Sequence, residues 1–275
     1  MIREVVPGVH VATAELYTTT TTIVAGAGGG CLLVDPAVSV ADLAALARWL
    51  PGHGLRPVAG WSTHPHWDHL LWSAALGDVP RYATPRAVAV AAREQAGLLR
   101  DVQESAPGHD LTLFGTVEAM VGHEIDWPGP RALVYEHHAH APGHGAVFLP
   151  DSGVLVAGDM LSDLEIPLLD LESADPFGGY RDGLGMLAGI PGVRVVVPGH
   201  GHVGGEAEFR RRLAVDYAYL NAVQTGGDIA DPRLTEDWLR AEHARHRARA
   251  ASPGNTADHW RGPGPANDPR LGSGP

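Results

Sequence analysis

The chain reads as an α/β protein with two β-sheets packed between helical layers, and three observations carry that reading. Short β-type runs recur in two blocks, one opening with residues 5–35 and one beginning near Val117. In each block a strand-like run leads into a histidine-bearing loop, His64–His69 in the first and His137–His144 in the second. Helical stretches then follow each loop, so the two halves echo each other in architecture without a close sequence repeat.

Within the first block, Val9–Thr13, the Thr18–Thr22 run with Ile23 and Val24, and Cys31–Val34 are strand candidates. Gly26–Gly30 lies between the last two and predicts a hairpin turn rather than a phosphate loop, because it lacks a following Lys-Ser/Thr and opens no helix. Ser39-x-x-Asp42 predicts a capped helix to about Trp49. Pro57–Ser62 is the strand that delivers the chain to His64, and Asp68 to about Gly77 reads as a helix. Thr84-Pro85 opens a longer helix to about Gln103, read as a covering element or part of an access rim.

In the second block, Ala132–Tyr135, Ala146–Leu149 and Val154–Ala157 read as strands, the last two joined by the turn Asp151-Ser152-Gly153. Asp175-Pro176 predicts a helix to about Leu187, and Val193–Val197 a short buried strand ending at Pro198-Gly199-His200-Gly201-His202. Residues 206–250 read as mostly helical. From Ser252 to Pro275 the chain is rich in Gly, Pro, Asn and Asp and reads as a mobile tail.

A chain of 275 residues, 44% hydrophobic, suits one large domain or a domain with a small appendage. Its 20 basic and 32 acidic residues give a formal charge of −12, which offers no general attraction to nucleic acid or an anionic membrane. Cys31 is the only cysteine, so no intramolecular disulfide forms, and its apolar neighbours make it a small core residue. The N-terminus lacks a secretion-signal pattern and no apolar run approaches the ~20 residues of a membrane span, so a cytoplasmic protein is expected.

The chemistry concentrates in His64-Pro65-His66-Trp67-Asp68-His69, with four potential metal ligands in six residues. Histidines at i and i+2 of an extended backbone point the same way, while the adjacent Asp-His pair aims at a neighbouring point. Such a cluster can serve two ions a few ångströms apart. His144 and His200, each after a Pro-Gly pair, and Asp159, at a strand end, extend the inventory. Imidazole and carboxylate donors suit zinc or another first-row divalent ion. Taken singly, each has a plainer reading: a loop histidine is usually a surface group, Asp68 could be a helix cap, and Asp159 a turn former.

The ordered set His64-x-His66-x-Asp68-His69, His144, Asp159 and His200 resembles the metallo-β-lactamase-fold hydrolases, over roughly residues 5–205. The resemblance implies an αββα sandwich of two mixed β-sheets with helices on both outer faces and a binuclear site at the sheet edge. It implies a catalytic domain over 1–205, a helical extension of it over 206–250 and a flexible tail over 251–275. One ion would be held by His64, His66 and His144, and the other by Asp68, His69 and His200, with Asp159 bridging both. Zinc is the expected metal, with iron or manganese as alternatives. Asp68 and Asp159 are the catalytic candidates, and Asp35 resembles the aspartate that braces the metal loop. One of His137, His138, His140 and His202 could reach the site or shape the substrate pocket, but they are expected at the surface or behind the ligands, His202 foremost as the residue two beyond His200, and strand alternation sends His137 and His138 to opposite faces. Trp67 and Trp72 could line the pocket mouth, although packing is the expected job of Trp72.

The implied reaction is attack by a metal-activated hydroxide on a small ester, lactone or thioester. No Gly-x-Ser-x-Gly elbow is present, and Cys31 is badly placed for covalent catalysis. Thr63–His69 and Gly158–Leu161 are similar to the loops of hydroxyacylglutathione hydrolases, but the C-terminal helices carry no recognisable glutathione-binding pattern. The β-lactamase branches generally lack an aspartate in the place of Asp159, and quorum-sensing lactonases carry a tyrosine closer to that position than Tyr180. Two alternatives share the ligand framework: an iron-dependent persulfide dioxygenase, and a phosphodiesterase with Arg181 and Arg194 as available cations. The expected partner is a small molecule, not nucleic acid or membrane, and a homo-oligomer is allowed.

Overall fold

A computed structural model describes residues 1–252, so the tail expected over 251–275 lies outside the described residues beyond Ser252, and Ala251 at its start ends a helix instead. The first sheet runs β1 (Ile2–Val6), β2 (Val9–Thr13), β3 (Thr20–Ala25), β4 (Gly30–Val34), β5 (Arg56–Trp61), β6 (Arg81–Ala83) and β7 (Glu118–Ala119) in spatial order. It is antiparallel from β1 to β4 and parallel from β4 to β7. The second contains β8 (Leu133–His137), β9 (His144–Leu149), β10 (Val154–Gly158), β11 (Val195–Pro198) and β12 (Gly204–Gly205), neighbouring one another in that order. Here β10 and β11 are parallel and the other neighbours antiparallel.

Strand alternation builds the layers. On β4, Leu32 and Val34 enter the core between the sheets, where Trp61, Val147, Val154 and Val156 join them. Cys31 and Leu33 point the other way, against α1 (Val40–Gly52) and α2 (Pro85–Ser105). Burial pushes the Cys31 thiol up to about 12, consistent with a packing role. On β10, Leu155 and Ala157 likewise face away from Val154 and Val156, towards α3 (Pro176–Ala188) and α4 (Glu206–Thr225). The result is the αββα sandwich. The last helix, α5 (Asp237–Ala251), adds Leu239 to the same outer core as α3 and α4, so the C-terminal helices share the hydrophobic core of the second sheet.

Local sequence accounts for most boundaries. Ser39 and Asp42 form the reciprocal capping box, and the Thr84 hydroxyl caps α2 with Pro85 in its first turn. The stretch from Asp68 to Gly77 departs from expectation. It holds only two short 3₁₀ turns, Trp67–His69 and Ala74–Leu76. The Leu70 carbonyl accepts from Gly115 N, and Trp72 turns inward to donate its indole N–H to Gly77 O. Tertiary partners have replaced the i→i+4 ladder there. Trp72 is thus a packed core residue. No helix among the described residues is long and apolar enough to cross a membrane.

Candidate metal centre

The parallel pairs β4–β5 and β10–β11 bring four strand ends to one edge of the sandwich. Asp35 follows β4, the His64–His69 loop follows β5, Asp159 follows β10, and His200 lies two residues past β11. The two sheets are tied at this edge: Thr20 N donates to Gly199 O at 2.8 Å, and the Thr20 hydroxyl donates to Pro198 O at 2.5 Å. Among the described residues, the four non-glycine residues with positive φ, Tyr17, Thr18, Asp35 and Leu161, are in the segments that border the site. Backbone strain of this kind persists where the surrounding structure over-determines it.

Two donor groups converge. His64, His66, His140 and Asp159 form one, and Asp68, His69 and His200 the other, with the donor atoms of each group within 4.8 Å of one another. In the first group His66 Nδ1 lies 3.0 Å from both His64 Nε2 and His140 Nε2. The remote nitrogens assign the tautomers. His140 Nδ1 donates to Leu168 O at 2.8 Å, which turns the Nε2 lone pair inward. The Thr63 hydroxyl donates to Asp35 Oδ2 at 2.6 Å and accepts from His64 Nδ1 at 3.0 Å, with the same consequence for His64.

The second group is built the same way. His69 Nδ1 donates to Asp35 Oδ2 at 2.9 Å, and His200 Nδ1 donates to Tyr17 O at 3.1 Å. Their Nε2 atoms lie 3.4 Å apart, and His200 Nε2 is 3.2 Å from Asp68 Oδ2. Asp159 stands between the groups. Its Oδ2 is 3.5 Å from His64 Nε2, 3.4 Å from His140 Nε2 and 3.3 Å from His200 Nε2, while Oδ1 is 3.1 Å from His69 Nε2. Oδ1 is buried without a hydrogen-bond partner.

The electrostatics divide the two groups. Burial, followed by neighbouring imidazoles, lowers His64 well below its ordinary range and His66 to about 3, so both stay neutral donors. His140 shifts in the same direction, again chiefly by burial. Burial would also lower His69 and His200, but Asp159 foremost, with Asp68 and Asp35 for His69 and Glu165 for His200, raises both. Asp159 is held well below the usual carboxylate range: burial would raise it, and His200, His69 and His64 overcome that. Asp68 is lowered against its burial by His69 and His200. In the first group three imidazoles kept neutral turn nitrogens to one point, and in the second His69, His200 and Asp68 crowd around Asp159; donors gathered this closely fit divalent cations. The imidazole and carboxylate donor set suits zinc or another first-row ion.

One expected donor lies outside the two groups. His144 is the first residue of β9 and pairs with His137 across the ladder, so the pleat fixes its direction. Its Nε2 donates to Ala157 O at 2.9 Å, and its ring stacks on that of His64 at 4.9 Å between centroids. The donor set takes His140 instead, from the loop between the two strands, where no ladder constrains it. The readable signal was position: His140 lies within the turn between ladder partners His137 and His144. His140 joins the donors instead of lying at the surface or behind them, His137 is buried behind His144, and His138 is exposed, as alternation along the strand expects. His202 is exposed and pairs with Asp163 at 2.9 Å rather than backing His200. Trp67 is buried, with Tyr17 edge-on at 6.3 Å.

The sequence model of the metallo-beta-lactamase superfamily matches residues 15–200. The hydroxyacylglutathione hydrolase of Synechococcus sp. (strain JA-3-3Ab) is 33% identical over 129 residues, 47% of this chain and 43% of that protein, so the match spans less than half of that relative. The protein of the same name from Rhodobacter capsulatus is 29% identical over 238 residues, 82% of each. Among solved structures, a beta-lactamase domain protein from Burkholderia ambifaria superposes with a TM-score of 0.64 at 17% identity, covering 91% of this chain and 88% of that one. TTHA1623 in a di-iron-bound form gives a TM-score of 0.58 at 26% identity over 74% of this chain and 97% of its own. With the matched span enclosing both donor groups and the aspartate that braces them, the chain belongs to the metallo-β-lactamase superfamily.

Proposed function

We propose that the chain is a binuclear hydrolase that attacks a small carbonyl substrate, an ester, lactone or thioester, with metal-activated hydroxide. The observation that carries this is Asp159, whose two carboxylate oxygens face both donor groups at 3.1 to 3.5 Å. His64, His66, His140 and Asp159 would hold one ion, and Asp68, His69, His200 and Asp159 the other. Bound there, two divalent ions would supply hydroxide near neutral pH and polarise the substrate carbonyl.

The chain's own groups set the conditions for that chemistry. Neutral His64, His66 and His140 leave the first position available at neutral pH. Asp35, through His69 Nδ1, fixes which nitrogen of His69 faces the site. Asp68 stays a carboxylate and can orient the attacking water or accept its proton. The names of the relatives make a thioester of the hydroxyacylglutathione type the first substrate to test. Zinc is the metal we propose, and the di-iron form of TTHA1623 makes iron the main competitor.

Phosphodiesters rank below carbonyl substrates. Arg181 is bound to Asn221 and Gln224, and Arg194 reaches Asp151 O beside the Gly153 turn, so neither is set aside for phosphate at the donor groups. The test is elemental analysis of the purified protein, followed by thioester, lactone, ester and phosphodiester substrates with oxygen uptake monitored. Two ions per chain with carbonyl hydrolysis supports the proposal. Iron with substrate-dependent oxygen consumption overturns it in favour of the persulfide dioxygenase.

A further inference from the structure

We infer that Arg212, on α4 and outside the residues matched to the superfamily, is a positioning residue that sets the second metal position by fixing the Asp159 loop against the His200 loop. The inference rests on the two-ion reading above. Arg212 is 3% exposed, on a helix whose neighbouring Arg210 and Arg211 are spent on surface ion pairs with Glu206 and Glu208. Its Nη1 donates to Leu161 O at 3.1 Å, and its Nη2 donates to His202 O at 2.9 Å.

Each accepting carbonyl lies two residues beyond a proposed ligand, Leu161 after Asp159 and His202 after His200. Leu161 has φ of 60°, a conformation its side chain does not favour, so its carbonyl direction needs an external hold. A planar guanidinium offers donors in a fixed fork, so one group sets the spacing of the two carbonyls. The junction is reinforced locally. The Ser162 hydroxyl donates to His200 O at 2.7 Å, and Asp163 accepts from both His202 N and Nδ1, at 2.8 and 2.9 Å.

A second buried arginine extends the same junction. Arg233, between α4 and α5, donates to Glu165 O at 2.9 Å and Ser162 O at 3.3 Å. It is fixed in turn by Asp216 at 2.6 Å and Asp231 at 2.8 Å. The C-terminal helices therefore reach the metal loops through backbone carbonyls, without supplying a ligand. The Asp159 loop serves both donor groups, but His200 belongs to the second alone, so losing the register between the two loops affects the second group most.

The test is cadmium NMR and competitive metal titration of the full chain as wild type, Arg212→Met and Arg212→Lys. Wild type should show two cadmium resonances. Arg212→Met should keep the resonance of the three-histidine position, shift or broaden the other, and weaken second-ion affinity by about 10- to 100-fold. Arg212→Lys should fall between, because a rotatable ammonium can still donate to the carbonyls but lacks the planar fork that fixes their spacing. Unmoved resonances with unchanged affinity in Arg212→Met overturn the inference, as does equal weakening at both positions. Should Arg212→Met fail to fold, Arg212→Lys and Ser162→Ala carry the same comparison. A single cadmium ion in wild type would instead overturn the two-ion reading, and this inference with it.

Discussion

His140 Nε2 faces His66 Nδ1 across 3.0 Å, from a loop 74 residues further along the chain. Two ring nitrogens that close leave room for at most one proton between them, and an ion resolves the arrangement better than a hydrogen bond. His140→Ala should therefore empty the three-histidine position and nearly abolish turnover. His144→Ala removes a packing ring and a bond to Ala157 O, costing about 1–3 kcal/mol of stability while keeping two ions. Metal content and urea unfolding of both variants check this. Metal loss in His144→Ala with two ions retained in His140→Ala would reverse the assignment.

Asp35 accepts three hydrogen bonds, from Thr63 N at 2.8 Å, the Thr63 hydroxyl at 2.6 Å and His69 Nδ1 at 2.9 Å. Asp35→Asn keeps the size but puts an amide N–H where at least one partner needs an acceptor. It should lower second-ion affinity about 10- to 100-fold and leave the first position closer to wild type. Titration with a chelator of known affinity measures it. Equal affinities in variant and wild type would remove Asp35 from the bracing role.

The layers were legible because the physics is local. Alternation on β4 and β10 sends successive residues to opposite cores, and Ser39 with Asp42 marks a helix start by itself. The Asp68–Gly77 helix was misread because its competitors are distant: Leu70 O is taken by Gly115, and Asp68 and His69 turn to the site. His144 and His140 differ in one respect the residue type does not show, whether the ring belongs to a ladder or to the turn. Arg212 was illegible for the same reason. Within Arg210-Arg211-Arg212 only burial separates it from its solvent-facing neighbours.

Gly199 packs where a side chain cannot. A Cβ there would land on Asp159 Oδ1 and come within 3.0 Å of His69 Cε1. Gly199→Ala should thus push Asp159 off the second donor group, with loss of one ion and most of the turnover. Gly52→Ala is the control, since a Cβ at that position meets nothing within 4 Å and should shift stability by no more than about 0.5 kcal/mol. Metal stoichiometry of the two variants decides the matter, and two retained ions in Gly199→Ala would count against Asp159 as the shared ligand.

His137 provides an acid-sensitive contribution to stability that can be isolated by substitution. It is buried, its Nε2 has no partner, and its ring lies 4.5 Å from that of His144. Burial first, then His138 and His140, lowers it to about 3. A histidine with a depressed folded value contributes stability that is complete above its unfolded value of ~6.5 and is lost as pH falls towards about 3. Each pH unit in that window costs about 1.4 kcal/mol, hence about 2 kcal/mol between pH ~6.5 and pH ~5. His64, His66, His140 and His144 shift in the same direction, so only a difference between proteins isolates this group. Urea unfolding of chelator-treated wild type and His137→Gln near pH ~7 and pH ~5 makes the measurement. The variant should lose about 2 kcal/mol less than wild type on acidification. Parallel losses in the two proteins would show that His137 does not titrate in this window.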